Sequence, residues 1–335
     1  MLQIPAIPSM RRVLLGCACV ASVFGATAFY PAMAQAVTWP TKPVRVIVNF
    51  PPGSSPDVLA RAISQPLHQA LGQPVLIENR AGASGVIGAD LVAKAPADGY
   101  TLLLTAGSTI TTNPLIYASL PYDTDKDLTP VAAVARMVLF LETRSNLPVK
   151  DARELIAYLK SHPDKLSYAS AGNGTGLHLA GEMFKSQAGV SALHVPYRGA
   201  TPAMQDLLAG QVDFLFDPGI GLNHVRAGKL RLLAVAGMRR SADFPEVPTL
   251  DEIGLKGFDA GQTHGLYAPA GTPRLIVERL NREINLILGT AAVQKQIGNL
   301  GGEASALTTQ QFAAVMGEDR KRYSAIIKER NIKAD

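Results

Sequence analysis

Two stretches of this chain place glycine and hydroxyl side chains directly ahead of a helical pattern: Gly53-Ser54-Ser55-Pro56-Asp57, and Ser170-Ala171-Gly172-Asn173-Gly174-Thr175-Gly176. The first N–H groups of a helix have no partner within it and lie at the positive end of its dipole. Such a loop can therefore hold a carboxylate without a cationic side chain. Glycine allows a ligand to approach the backbone, while Ser170, Asn173 and Thr175 offer donors and acceptors. Asp57 also has a simpler use as the helix cap, a role open to Ser54 or Ser55 as well. The loops are separated by most of a domain's length, as two jaws of a cleft would be.

Other chemistries fit the spacing less well. Gly172 and Gly174 match the start of a dinucleotide fingerprint, but Leu177 stands where its third glycine belongs. The next apolar run, Ala192 to Val195, ends at Pro196 and not at an acidic ribose ligand, which argues against a secreted oxidoreductase built on the Gly172–Gly176 loop. Ser84 lies between the small residues Ala83 and Gly85, but the glycines around it do not both stand where a nucleophile elbow needs them, and it reads as a tight turn. The histidines, at 68, 162, 178, 194, 224 and 264, include no pair three or four residues apart, so neither a metal site nor a cofactor is expected. His178 lies where it lines a cleft or props the second loop, and His194 reads as a strand end. Tyr197 suits a cleft wall, and Arg198 beside it reads as a solvated loop cation. Asp217, after the apolar run Val212 to Phe216, stands at the carboxyl end of a strand, where α/β sheets bind ligands. It is expected to receive an amino or hydroxyl group of a ligand, or else to cap the following turn.

These residues need a scaffold, and the rest of the chain describes one. Short aliphatic runs at Val44 to Phe50, Val75 to Glu78, Thr101 to Thr105, Val131 to Phe140, Leu166 to Ala169, Ala192 to Val195, Val212 to Phe216 and Leu232 to Ala236 alternate with helical patterns. That order predicts an α/β protein of mainly parallel sheets flanked by helices. After Asp57, an apolar stripe through Leu59, Ile63 and Leu67 ends at Gly72, with Pro66 expected to kink it. Thr272-Pro273 supplies a cap and a first-turn proline for a second long helix.

The N-terminus points to export. Arg11 and Arg12 precede an apolar run from Val13 to Phe29, followed by small residues at Ala32, Ala34 and Ala36, the order of a secretory signal cleaved near Ala34 or Ala36. General secretion fits the flanks better than the twin-arginine route, and Cys17 lies too close to the arginines for a lipoprotein site. Cys17 and Cys19 both fall in residues 1–36, so the remainder has no thiol for a disulfide, a metal or a nucleophile. Removing Arg11 and Arg12 leaves a formal charge of +3 from +5, with no basic run to mark a nucleic-acid partner. About 300 remaining residues exceed what one core usually serves, so two lobes are expected.

Several motifs in one order resemble the substrate-binding receptors of the tripartite tricarboxylate transporter system, the Bug receptors. They are Trp39-Pro40; Phe50-Pro51-Pro52-Gly53 with Asp57; Glu78-Asn79-Arg80 with Gly82 and Gly88; Ala97-Asp98-Gly99-Tyr100; Leu120-Pro121-Tyr122-Asp123; Gly172-Asn173-Gly174-Thr175 with His178; Val195-Pro196-Tyr197-Arg198-Gly199; and Pro269-Ala270-Gly271-Thr272-Pro273. The resemblance implies a monomeric, non-enzymatic periplasmic receptor of the type II-like two-lobed fold. It would capture a small organic acid between its lobes and present it to membrane transporter subunits, or alternatively to a sensor kinase. It implies a first lobe from residues 37–139 and 261–335, a second from 140–260, and hinge crossings near 136–143 and 237–264. Carried over residue by residue, it gives binding roles to Gly53, Ser54, Asp57, Gly172, Thr175 and His178, with Ser108 and Asp217 in ligand discrimination. Many relatives have a second glycine where this chain has Ser54, which adds a hydroxyl to the first loop.

Overall fold

The computed structural model describes residues 39–334. The expected signal segment, with Cys17, Cys19, Ala34 and Ala36, lies outside the described residues. Among those described, no helix is long and apolar enough to cross a membrane.

The described residues form eleven strands: Val44–Val48 (β1), Val75–Asn79 (β2), Thr101–Thr105 (β3), Leu128–Met137 (β4), Phe140–Arg144 (β5), Ser167–Ser170 (β6), Leu193–Pro196 (β7), Phe214–Asp217 (β8), Leu230–Val235 (β9), Gln262–Pro269 (β10) and Gly302–Ala304 (β11). They form a six-stranded sheet ordered β11-β4-β10-β3-β1-β2 and a five-stranded sheet ordered β7-β6-β8-β5-β9. The alternating runs do give parallel pairs, β1 with β2 and β3, and β6 with β7 and β8. Antiparallel pairing enters through β4, β10 and β11 in one sheet and β5 and β9 in the other, so both sheets are mixed.

Parallel strands covered on both faces must be apolar on both. In β1, Val44, Val46 and Val48 pack with Leu59, Ile63 and Leu67 of the helix Ser55–Leu71, and with Ile276, Leu280 and Ile284 of the helix Arg274–Leu288. Ile47 faces the opposite layer, with Val86, Ala89 and Phe312. In the other sheet, Tyr168, Phe214 and Phe216 bury Phe184 of the helix Gly176–Ala188, while Ala169 and Leu215 bury Met204 and Leu207 of the helix Ala200–Leu208. The first long helix runs through Pro66 as one element. The helix expected to be capped by Thr272 has Pro273 at its N-cap position instead, and the Thr272 hydroxyl donates to the Pro269 carbonyl at 2.7 Å.

The single run expected from Val131 to Phe140 is two strands, because the chain leaves one sheet and enters the other between Met137 and Phe140. Strand β10 carries the return. Its first residues, Gln262, Thr263 and His264, are buried but polar, which hides a strand from any reading based on apolar runs. The last helix, Thr309–Glu329, touches both halves: Phe312 and Met316 pack with Ile47 and Tyr267, and Tyr323, Ile326 and Ile327 with the cluster around Phe184. Near its middle, Arg322 and Arg136 both hold Asp259, at 2.5 and 2.7 Å, where the chain returns toward β10.

Candidate functional site

Four helices begin around one cavity. Ser54 and Ser55 open the helix Ser55–Leu71, Ala106 and Ser108 the short helix Gly107–Thr111, Thr175 and Gly176 the helix Gly176–Ala188, and Ala200 the helix Ala200–Leu208. The first two helices lie with the six-stranded sheet and the last two with the five-stranded sheet. None of the four has a side-chain cap on its first amides. The hydroxyls at the two long-helix caps turn back onto their own loops: Ser54 Oγ donates to the Pro51 carbonyl at 2.7 Å, and Thr175 Oγ1 to the Gly172 carbonyl at 2.7 Å. Loop geometry is thereby fixed while the helix amides stay available.

Among the described residues, no Lys, Arg, Asp or Glu lines this cavity. Its volume is about 30 Å³, room for water and not for an organic acid. It adjoins, through Phe50 and Ala171, a wider space of about 310 Å³ lined by Asn49, Ser84, Gly172, Asn173, Tyr197 and Arg198. The two halves touch across the gap, where Ser84 Oγ donates to the Asn173 carbonyl at 2.9 Å and Thr201 Oγ1 to the Pro52 carbonyl at 3.4 Å.

Of the residues expected at the site, Ser54, Ser108 and Thr175 line the inner cavity, and Gly172, Asn173 and Tyr197 the outer space. Asp57, Ser170 and His178 stand behind these walls and shape them, and Gly53 is an exposed loop residue outside both linings. Asp57 accepts from the Gly53 amide at 2.9 Å, from Asn79 Nδ2 at 2.9 Å and from Arg61 Nε at 3.0 Å. Burial opposes its charge, but the donors from Arg61, Gly53 and Asn79 outweigh that and hold its carboxyl below the usual range. Ser170 Oγ accepts the Gly172 amide at 3.1 Å and pairs with His194 Nε2 at 2.7 Å. His178 accepts the Gly174 amide on Nδ1 at 3.0 Å, and its ring stacks on His194 with centroids 4.0 Å apart. Burial, followed by the neighbouring His178, pushes His194 down to about 3.

Asp217 does not line the cavity; it is fully buried, its Oδ2 accepts the Gly221 amide at 2.8 Å, and its neighbour Pro218 reaches the cavity instead. It shares its apolar surroundings with Glu142, and burial pushes the Asp217 carboxyl up to about 7. Two contributors had no motif to announce them: His264, whose Nε2 pairs with Ser55 Oγ at 3.0 Å in the cavity wall, and Gln262, which lies beside that pair. A polar residue inside a strand pattern is the one signal that marks Gln262 and His264.

Asp57 is the clearest structural support of the first loop. Asp57→Ala strands the Gly53 amide, Asn79 and Arg61, and is expected to cost about 2–3 kcal/mol. Chemical unfolding of the variant at pH 7 measures it; a loss below roughly 0.5 kcal/mol would mean the carboxylate is not holding the loop.

Residues 59–332 match the model of the tripartite tricarboxylate transporter family receptor, TctC. Protein BugT of Bordetella pertussis is 38% identical over 328 residues, which cover 97% of this chain and 99% of that one. Among solved structures, R. palustris Rpa4515 with adipate is 34% identical with a TM-score of 0.86, covering 89% of this chain and 100% of that one. MatC from Rhodopseudomonas palustris with bound malate is also 34% identical, with a TM-score of 0.81 over 86% of this chain and 99% of that one. The match along nearly all of the described residues, in sequence and in fold, makes this chain a member of the tripartite tricarboxylate transporter receptor family.

Proposed function

We propose that this protein is an exported periplasmic receptor that closes two lobes on a small organic carboxylate and presents it to membrane transporter subunits. The observation that carries this reading is the neutral cavity ringed by uncapped helix starts from both sheets. Backbone amides and helix dipoles supply the positive potential, and closure removes water, so each hydrogen bond to the anion forms in a lower dielectric. The lobes are the two sheets with their helices, and the hinge lies where β4 passes to β5 and β9 returns to β10. Relatives with adipate and malate support a dicarboxylate among the candidate ligands. Since the cavity holds almost no free volume, a ligand enters an open form and the lobes close around it.

Binding without turnover is also the better reading of the Ser55–His264 pair. A nucleophile needs a base whose pKa lies near the working pH and a third group to orient that base. Burial pushes His264 down to about 3, and its Nδ1 has no partner. Ser55 and His264 therefore form a neutral hydrogen-bonded wall.

The test is a thermal-shift screen of mono-, di- and tricarboxylates with calorimetry on each hit. A ligand at 100 times its Kd should stabilise the fold by about 2.7 kcal/mol. Because no cationic side chain among the described residues lines the inner cavity, Kd should change by less than about threefold between 50 and 500 mM salt. No hit across the panel, or detection of product from a bound acid, removes the receptor reading.

A further inference from the structure

Gln262 opens β10, the strand by which the chain returns to the six-stranded sheet, yet its side chain reaches the other half of the molecule. Its amide lies against Gly176, the first residue of the helix Gly176–Ala188. A Cβ on Gly176 would sit 2.5 Å from Gln262 Nε2 and 2.8 Å from its Oε1. Gly176 has an ordinary backbone conformation, so what it provides here is space for this amide. Gln262 is 5% exposed and lines the cavity, and its Nε2 has no hydrogen-bond partner among the described residues. A buried N–H donor left unpaired costs roughly 1–3 kcal/mol, a cost an arriving acceptor would relieve.

The anchoring of Gln262 strengthens the point. The residue before it, Gly261, is gripped from several sides: its amide donates to Asp259 Oδ1 at 2.9 Å, and its carbonyl accepts from Arg322 at 2.7 Å and Tyr323 at 3.0 Å. A long, flexible side chain is thus presented from a well-held backbone into a cavity that otherwise offers main-chain amides and hydroxyls. Two residues further on the same strand, His264 is occupied by Ser55, and the Thr175 hydroxyl is occupied by the Gly172 carbonyl, whereas the Gln262 amide lies against the start of the helix Gly176–Ala188 with its donor unused.

We propose that Gln262 is a specificity-determining residue of the receptor: its Nε2 donates to a ligand carboxylate seated on the Gly176 helix start, joining the two halves through the ligand. The inference rests on the receptor reading and deepens it. A carboxylate oxygen accepts both the helix amides of one half and the Gln262 N–H of the other. A carboxamide presenting its NH₂ group there meets donors facing a donor and is rejected.

The experiment compares Gln262→Glu with the wild type against succinate, glutarate, adipate and malate, and against succinamate, glutaramate and adipamate, all by calorimetry. Glutamate keeps the shape and replaces the donor with a charged acceptor. The wild type is expected to prefer the diacid. In Gln262→Glu, affinity for the diacid should fall by at least 100-fold, while the preference for diacid over monoamide should shift by at least tenfold toward the monoamide. Gln262→Met, which removes the donor without adding charge, should weaken the diacid about tenfold or more and keeps the test alive if the glutamate variant does not fold. If Gln262 merely caps the helix through its oxygen, Gln262→Glu will cap as well or better and the ranking of ligands will stay where it was, which overturns the proposal. A wild type that binds none of these seven acids overturns this inference together with the receptor reading. A wild type that binds, with the ranking unchanged in both variants, overturns this inference alone.

Discussion

Replacing Glu142 with glutamine is expected to leave the protein about equally stable at pH 5 and to make it progressively more stable than the wild type as the pH climbs to 7, by on the order of 1 kcal/mol per pH unit. Glu142 on β5 and Asp217 on β8 lie on one face of the five-stranded sheet, because Asp217 is registered opposite Phe140 and Glu142 follows two residues on. Both are 0% exposed. Their apolar neighbours include Phe140, Met204 and Leu222, and both meet at Gly221: Asp217 accepts its amide, and a Cβ there would lie 2.3 Å from Glu142 Oε2. Three of the four carboxyl oxygens, both of Glu142 and Oδ1 of Asp217, have no hydrogen-bond partner among the described residues. Burial first, and then the charge of Asp217, pushes Glu142 well above the carboxylate range. Burial likewise lifts Asp217 to about 7 against the amides of Gly221 and Gly219.

An acid whose folded pKa is raised binds more protons folded than unfolded, so stability falls as pH climbs from the unfolded pKa near 4 to the folded one. Each extra proton costs about 1.4 kcal/mol per pH unit across that window. Glutamine removes one titrating group and keeps a donor for the Asp217 carboxylate permanently in place. His194 and His264, both depressed to about 3, act with the opposite sign, since their contribution is lost as pH falls below the unfolded value near 6.5. They are common to both proteins and cancel in the difference. Urea unfolding of the two proteins at pH 5, 6, 7 and 8 decides the matter: parallel curves would show that the pair carries no extra proton in the native state.

Gly219→Ala is expected to abolish ligand-induced stabilisation while the unliganded protein remains folded. Gly219 follows Asp217 and Pro218 and meets the other half of the molecule face on: a Cβ would stand 1.9 Å from the Leu300 carbonyl oxygen and 2.6 Å from its carbon. The obstacle is backbone, so no rotamer can move out of the way. Its φ of +91° adds a local penalty for any side chain, about 1–2 kcal/mol. That local penalty is bearable for a protein of this size, whereas the clash acts only when the halves meet. If the closed form falls to one part in a hundred or less, apparent affinity falls about 100-fold or more in proportion. Calorimetry with the tightest carboxylate should show that loss, and small-angle scattering should give a larger radius of gyration than the wild type. Undiminished binding by an equally compact variant would mean that Gly219 need not approach Leu300 for closure.

The parts of this protein that were legible in the sequence are those governed by local rules. The apolar run Thr101 to Thr105 became a strand because a strand buried on both faces must be apolar along its length, while Val75 to Glu78 became the half-buried edge strand beside β1. The two loops before Ser55 and Gly176 proved to be helix starts without side-chain caps, since glycine and small hydroxyl residues ahead of an apolar stripe leave few other conformations. Sequence also marked Asp57, Ser170, His178 and Asp217 as unusual polar residues but not their places. Each lies behind a wall, where loop anchoring or a buried carboxyl neighbour satisfies the same chemical description as ligand contact. Gln262 and His264 were invisible for the converse reason: polar side chains in β10 break the periodicity by which a strand is recognised. Only the tertiary structure decided that Glu142 meets Asp217, that Gly219 meets Leu300 and that Gln262 meets Gly176. These contacts join residues far apart in the chain, and their free energies depend on burial and shape that no local window contains.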